Sequence, residues 1–117
     1  MTIDVLVDTG PLVAMLDASD GAHSVCVETL SLFRTPLVTT WPVLTEAAWL
    51  LRNRQDLVQR LIRSGAAGFL RIEIQTEVDA SAMAAILDRY ADQHFQLADV
   101  SLMHRADQSN IDTVFTL

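Results

Sequence analysis

Four short runs of β-branched and apolar residues, Ile3–Val7, Leu37–Thr40, Phe69–Ile74 and Asp112–Leu117, alternate along this chain with segments whose apolar residues recur at helical spacing. The spacing predicts helices from Pro11 to about Leu16, Ala22 to Phe33, Pro42 to about Asn53, Asp56 to Arg63, Val78 to about Gln93, and Ala98 to Ser109. Pro11 and Pro42 suit first helical turns, Ser19 or Asp20 can cap the second helix, and the Gly65/Gly68 pair stops the fourth. Parallel neighbours are joined by crossovers, and those crossovers are right-handed, so this order predicts an α/β fold: a doubly wound parallel sheet with helices on both faces. Ligands of such sheets bind at the carboxyl ends of the strands, where strand order reverses. Asp8, directly after the first run, belongs at that edge. No linker, repeat or charge block divides the 117 residues, so the chain reads as one domain, 1–117.

Three carboxylates stand out against this pattern. Asp8 follows the apolar run Val5-Leu6-Val7. Glu46 lies three residues from Val43 and Trp49 and four from Leu50, which places it on the apolar stripe of its helix. Asp99 precedes Leu102, Met103 and Ala106 by three, four and seven residues, so it too is expected to point inward. An inward carboxylate costs several kcal/mol unless it is paired, hydrogen-bonded or bound to a cation. Singly, Asp8 and Asp99 could cap helices and Glu46 could snorkel to solvent. Together, with no histidine or cysteine at ligand spacing, they point to a hard divalent cation such as Mg²⁺ or Mn²⁺.

Composition narrows the chemistry. Fifteen carboxylates stand against eight basic residues, giving a net charge of −7, and all eight are arginines. Without a lysine the chain cannot be a receiver domain, a haloacid-dehalogenase-type phosphatase or a P-loop NTPase, all of which use one at the active site. A net charge of this sign also leaves no basic face for binding nucleic acid by counterion release, so nucleic-acid chemistry would need metal ions. The arginines mostly fall on the polar sides of their segments. The single cysteine, Cys26, excludes an internal disulfide and fits a cytoplasmic address, and no apolar stretch approaches the roughly 20 residues that span a bilayer.

The segments Val7-Asp8-Thr9-Gly10-Pro11-Leu12-Val13, Leu44-Thr45-Glu46-Ala47, Leu97-Ala98-Asp99-Val100-Ser101-Leu102 and Val114-Phe115-Thr116-Leu117 resemble, in order and spacing, a PIN-domain ribonuclease of the VapC toxin type. The similarity runs the length of the chain. It implies a PIN-like three-layer fold and a metal-dependent endoribonuclease, the toxin of a toxin–antitoxin pair. Asp8, Glu46 and Asp99 would be both catalytic residues and ligands for one or two Mg²⁺ or Mn²⁺ ions. Thr9 and Ser101, beside two of the acids, would hydrogen-bond a ligand, a metal-bound water or phosphate, unless they serve ordinary helix starts. The resemblance also implies an RNA substrate, a cognate antitoxin that presents a basic side chain to the acidic site, and a homodimer. Toxins of this type usually continue Thr-Leu-Asp after the last strand, whereas this sequence stops at Leu117. A three-acid site is therefore expected, and with it an alternative reading: a catalytically deficient PIN-like module that binds antitoxin or RNA without cleaving.

Other chemistry-bearing residues read as structural. His23, His94 and His104 fall on three separate segments and are expected to be solvated or capping. Cys26 is a small core residue. Trp41 and Trp49 could stack on a base, but their places in the pattern favour core packing. Asp17, Asp20, Asp92 and Asp107 suit turns, caps or solvated faces.

Overall fold

In the computed structural model, which describes residues 4–109, 111 and 113–117, four parallel strands form one sheet. They are β1 (Leu6–Val7), β2 (Leu37–Thr40), β3 (Leu70–Glu73) and β4 (Val114–Phe115), in the spatial order β3-β2-β1-β4. Leu6 pairs with both Val38 and Val114, and Leu37 to Thr40 run beside Leu70 to Glu73. Leu6, Val7, Leu37 and Val38 have no exposed surface. Their unbroken apolar character, in place of alternation, is what a strand covered on both faces requires.

The crossovers carry the helices. Between β1 and β2 lie α1 (Thr9–Leu16) and α2 (His23–Leu30), and between β2 and β3 lie α3 (Trp41–Leu50) and α4 (Gln55–Ala66). From β3 to β4 the chain runs through α5 (Glu77–Arg89), a 3₁₀ turn at Ala91–Gln93, and α6 (Leu97–Ser109). The path moves outward from β1 to β3, then jumps back past β1 to β4. Right-handed crossovers in opposite directions put the first helices on one face and α5 and α6 on the other, giving three layers. Accordingly α4 packs on α1 and β3, and α6 on α5 and β2. Helix α3 touches both α1 and α6, bridging the two helical layers. The reversal of strand order falls between β1 and β4, so the ligand crevice of this sheet opens beyond Val7 and Phe115.

Local signals place the elements. The Thr40 hydroxyl accepts from the Val43 N–H at 3.5 Å, with Pro42 in the first turn of α3. A reciprocal capping box joins Thr76 and Asp79 at the start of α5. After α4 the chain turns at Gly68, whose φ of 85° is a conformation that side chains with a Cβ avoid. For α2, Asp20 accepts from the Ala22 N–H at 2.9 Å, just ahead of the helix.

Several elements differ from the sequence-based expectation: α2 stops at Leu30, short of Phe33, and α4 runs past Arg63 and through Gly65 to Ala66, so of the glycine pair Gly68 alone lies beyond the helix. The outer limits set for the first and last strands, Ile3 and Asp112, lie outside the described residues, and the paired strands are shorter than those runs. Pairing still extends one residue beyond β1, since Val5 accepts from the Val38 N–H at 2.8 Å. The long helix expected to reach Gln93 stops at Arg89. Tyr90 leaves helical geometry, the next three residues tighten into the 3₁₀ turn, and His94 closes it in the left-handed region at φ 54°. The Tyr90 and Phe95 rings meet edge to face across this turn, with centroids 5.8 Å apart.

Candidate functional site

Asp8 ends β1 at the reversal point and caps α1: its Oδ1 accepts from the Thr9 N–H at 2.8 Å. Its Oδ2 accepts from the Thr116 hydroxyl at 3.2 Å, a contact that crosses from β1 to the end of β4. The Thr9 hydroxyl donates to Glu46 Oε2 at 3.4 Å, so Thr9 joins the acid after β1 to the acid on α3. At the start of α6, Asp99 Oδ2 accepts from the Gln96 N–H at 2.9 Å, as a third-position acid does when it reaches back to its helix start. The structure therefore brings Asp8, Thr9 and Glu46 into one hydrogen-bonded group. Asp99 stands on the neighbouring helix, bonded to its own first turn.

The acids are less buried than their spacing predicts. Asp8 and Asp99 are half-buried, and Glu46 is exposed. The buried stripe of α3 is narrow, consisting of Val43, Leu44 and Ala47 and continuing to Leu51 just past the helix, because α3 bridges two layers instead of lying flat on the sheet. Glu46, Trp49 and Leu50 fall outside it. Desolvation is thus a weaker argument for a cation at Glu46 than the sequence suggested.

The character of the donors still suits a hard cation. All are carboxylate oxygens, and none of the three acids forms an ion pair with a described residue. Glu46 Oε1 and Asp99 Oδ1 have no protein hydrogen bond among the described residues, which leaves each acid an oxygen to offer. As the side chains stand, however, no three described His, Cys, Asp or Glu residues are gathered closely enough to hold a metal ion.

Ser101 takes the helix-start alternative that its position beside Asp99 left open. It is fully buried, donating to the Ala98 carbonyl at 2.7 Å and lying 2.6 Å from the Thr40 hydroxyl. The chain of donors therefore runs from the Val43 N–H to Thr40, from Thr40 to Ser101, and from Ser101 to Ala98. It ties the start of α6 to the end of β2, and so fixes the helix that carries Asp99.

The tryptophans also depart from expectation. Neither is in the core: Trp41 is 49% and Trp49 63% exposed. They flank Glu46 on α3, across a groove from Gln96 and Leu97. His104 is neither solvated nor capping; it is buried, with Nε2 2.8 Å from Asp79 Oδ1, and links α6 to α5. Its partner carboxyl is held below the usual range, first by the Thr76 N–H and then by His104. Arg105 leaves the polar side of α6 to pair with Glu73 at 2.9 Å. Cys26 is in the core as expected, and burial pushes its thiol up, away from nucleophilic use. Thr116 is the site residue that sequence reasoning missed. Its signal was its place directly after the last strand, at the same edge as Asp8.

The sequence matches no protein-family model. It is 26% identical to Ribonuclease VapC26 of Mycobacterium tuberculosis (strain ATCC 25618 / H37Rv) over 115 residues, which is 97% of this chain and 85% of that protein. The fold superposes on the crystal structure of VapC20 from M. tuberculosis, described as a sarcin-ricin loop cleaving toxin, with a TM-score of 0.89 and 17% identity, over 97% of this chain and 89% of that one. Strand order, helix layers and a similarity spanning nearly the whole chain agree: the chain has the fold of a VapC toxin and is similar in sequence to a VapC ribonuclease.

Proposed function

We propose that the chain is an endoribonuclease, the toxin of a toxin–antitoxin pair, which hydrolyses RNA phosphodiester bonds with Mg²⁺ or Mn²⁺ held by Asp8, Glu46 and Asp99. The observation that carries this reading is the Asp8–Thr9–Glu46 group at the reversal point of a VapC-type sheet, with Asp99 on the adjoining helix. When bound, the ion would supply a water of lowered pKa for in-line attack and neutralise charge on the scissile phosphate. The chain's own residues orient the ligands. Thr116 steadies Asp8, the Thr9 hydroxyl aims Glu46, and the Thr40–Ser101 bond sets the start of α6. The acidic site suits an antitoxin that presents a basic side chain, and by the family's habit the toxin is a homodimer in the cytoplasm. No described helix is long and apolar enough to cross a membrane.

A second reading has its own support. Asp99 is engaged in capping, and no three described acids are gathered, which favours a PIN-like module that binds antitoxin or RNA without cleaving. Cleavage of a single-stranded RNA by the full chain separates the two. The nuclease reading predicts Mn²⁺-dependent cleavage that EDTA stops and that Asp8→Asn or Asp99→Asn lowers by about 100-fold or more. No cleavage, with RNA association unchanged in both variants, would leave the binding module standing.

A further inference from the structure

Beside Glu46, helix α3 presents Trp41, Thr45, Trp49 and, just past its end, Arg52 as one exposed stripe at three- and four-residue spacing. With Gln96 and Leu97 opposite, the two indoles line a groove of about 600 Å³, within the range of small-ligand pockets. The wall is ordered. The Thr45 hydroxyl donates to the Trp41 carbonyl at 2.9 Å, and the Arg52 guanidinium lies 4.0 Å from the centre of the Trp49 ring while donating to the Trp49 carbonyl at 2.9 Å.

We infer that Trp41, Trp49 and Arg52 form a stacking subsite for an unpaired base of the RNA, next to the acidic site. The inference rests on the nuclease reading for the identity of the ligand and deepens it by naming how the strand is held. Charge argues for this occupant. At a net charge of −7 the protein gains little from phosphate attraction, so affinity has to come from a contact that does not depend on charge, and base–aromatic stacking is such a contact. Arg52, already laid against Trp49, adds one cation beside the stacked base, where the flanking phosphate passes. The Gln96 side chain has no hydrogen bond among the described residues, and its amide can both donate to and accept from a base edge. Two exposed indoles converging on the groove that holds Glu46 give these residues a positioning role toward the substrate.

Trp41 and Trp49 are the chain's only tryptophans, so indole fluorescence, excited beyond the absorption of Tyr90, reports on this groove alone. The test titrates the full chain in EDTA with a short unstructured RNA and with a duplex of the same sequence, then measures KM and kcat for cleavage in Mn²⁺. The inference predicts quenching by the single strand and much less by the duplex. Trp41→Ala and Trp49→Ala should each weaken single-strand binding about 10-fold, with Trp49→Phe retaining most of it, and the loss should appear in KM with kcat largely kept. Equal quenching by strand and duplex, unchanged KM in the alanine variants, or fluorescence that follows protein concentration and ignores RNA would overturn it. The last result would place a second copy of the chain on the groove. Quenching with no cleavage in any metal removes the nuclease reading and keeps the subsite. Metal-dependent cleavage indifferent to both tryptophans does the reverse.

Discussion

Ser101→Ala takes the middle link out of the buried chain from Val43 through Thr40 to Ala98 and leaves the Thr40 hydroxyl proton without its acceptor. An unsatisfied buried donor costs about 1–3 kcal/mol, so urea denaturation is expected to show a loss of that size. An equal stability in the variant would mean that Thr40 finds another partner and that Ser101 does not hold α6. At this scale the sequence was informative about where the candidate residues lie along the fold and less so about their surroundings. Asp8, Glu46 and Asp99 were singled out by their places in the pattern, yet the spacing overstated the burial of Glu46, because an apolar stripe at helical period does not say whether a helix lies flat on a sheet or bridges two layers. The tryptophans were misplaced for the same reason: Trp49 shares a stripe with residues whose own partners do not cover it. Thr116 was invisible until β4 was seen to lie beside β1.

Between elements, the sheet edge and the second helical layer are joined by charge. Glu73 on β3 accepts from Arg105 on α6 at 2.9 Å and from Arg71 at 3.1 Å, and its carboxyl is held below the ordinary glutamate value, first by the Arg105 hydrogen bond. A carboxyl with a lowered folded-state pKa contributes stability that is present above its unfolded value and is lost as pH falls through the folded one. Glu73→Gln should therefore cost about 1 kcal/mol at neutral pH and progressively less as pH falls from the ordinary glutamate value through the lowered folded-state one, where the wild-type carboxyl loses its charge too. Thermal melts of both proteins across that range check this; a gap that stays constant with pH would show that the ion pair is not its source. Element identities were legible because strand and helix periods alternate cleanly, and β2 has the limits its sequence predicts. The end of α5 was not. Nothing in Ala91-Asp92-Gln93 forbids a helix, and the break belongs to the Tyr90–Phe95 contact across the turn.

For the whole molecule, the alternation of strands and helices with right-handed crossovers was enough to name the α/β layers, and the motif order was enough to name the family resemblance. Strand order was not in the sequence. It is the placement of β4 against β1, not beyond β3, that opens the crevice at Asp8 and brings the two ends of the chain's reading to one edge. The central claim is that the acids reached from β1, α3 and α6 act there as a single metal site. Its most direct test is Mn²⁺ titration by calorimetry on the wild type, Asp8→Asn, Glu46→Gln and Asp99→Asn, with circular dichroism to confirm that each is folded. One saturable site in the wild type, lost or weakened at least about 10-fold in every variant, is the result this account predicts. A wild type that takes up no Mn²⁺, or an Asp99→Asn protein that binds it as tightly as the wild type, would contradict it.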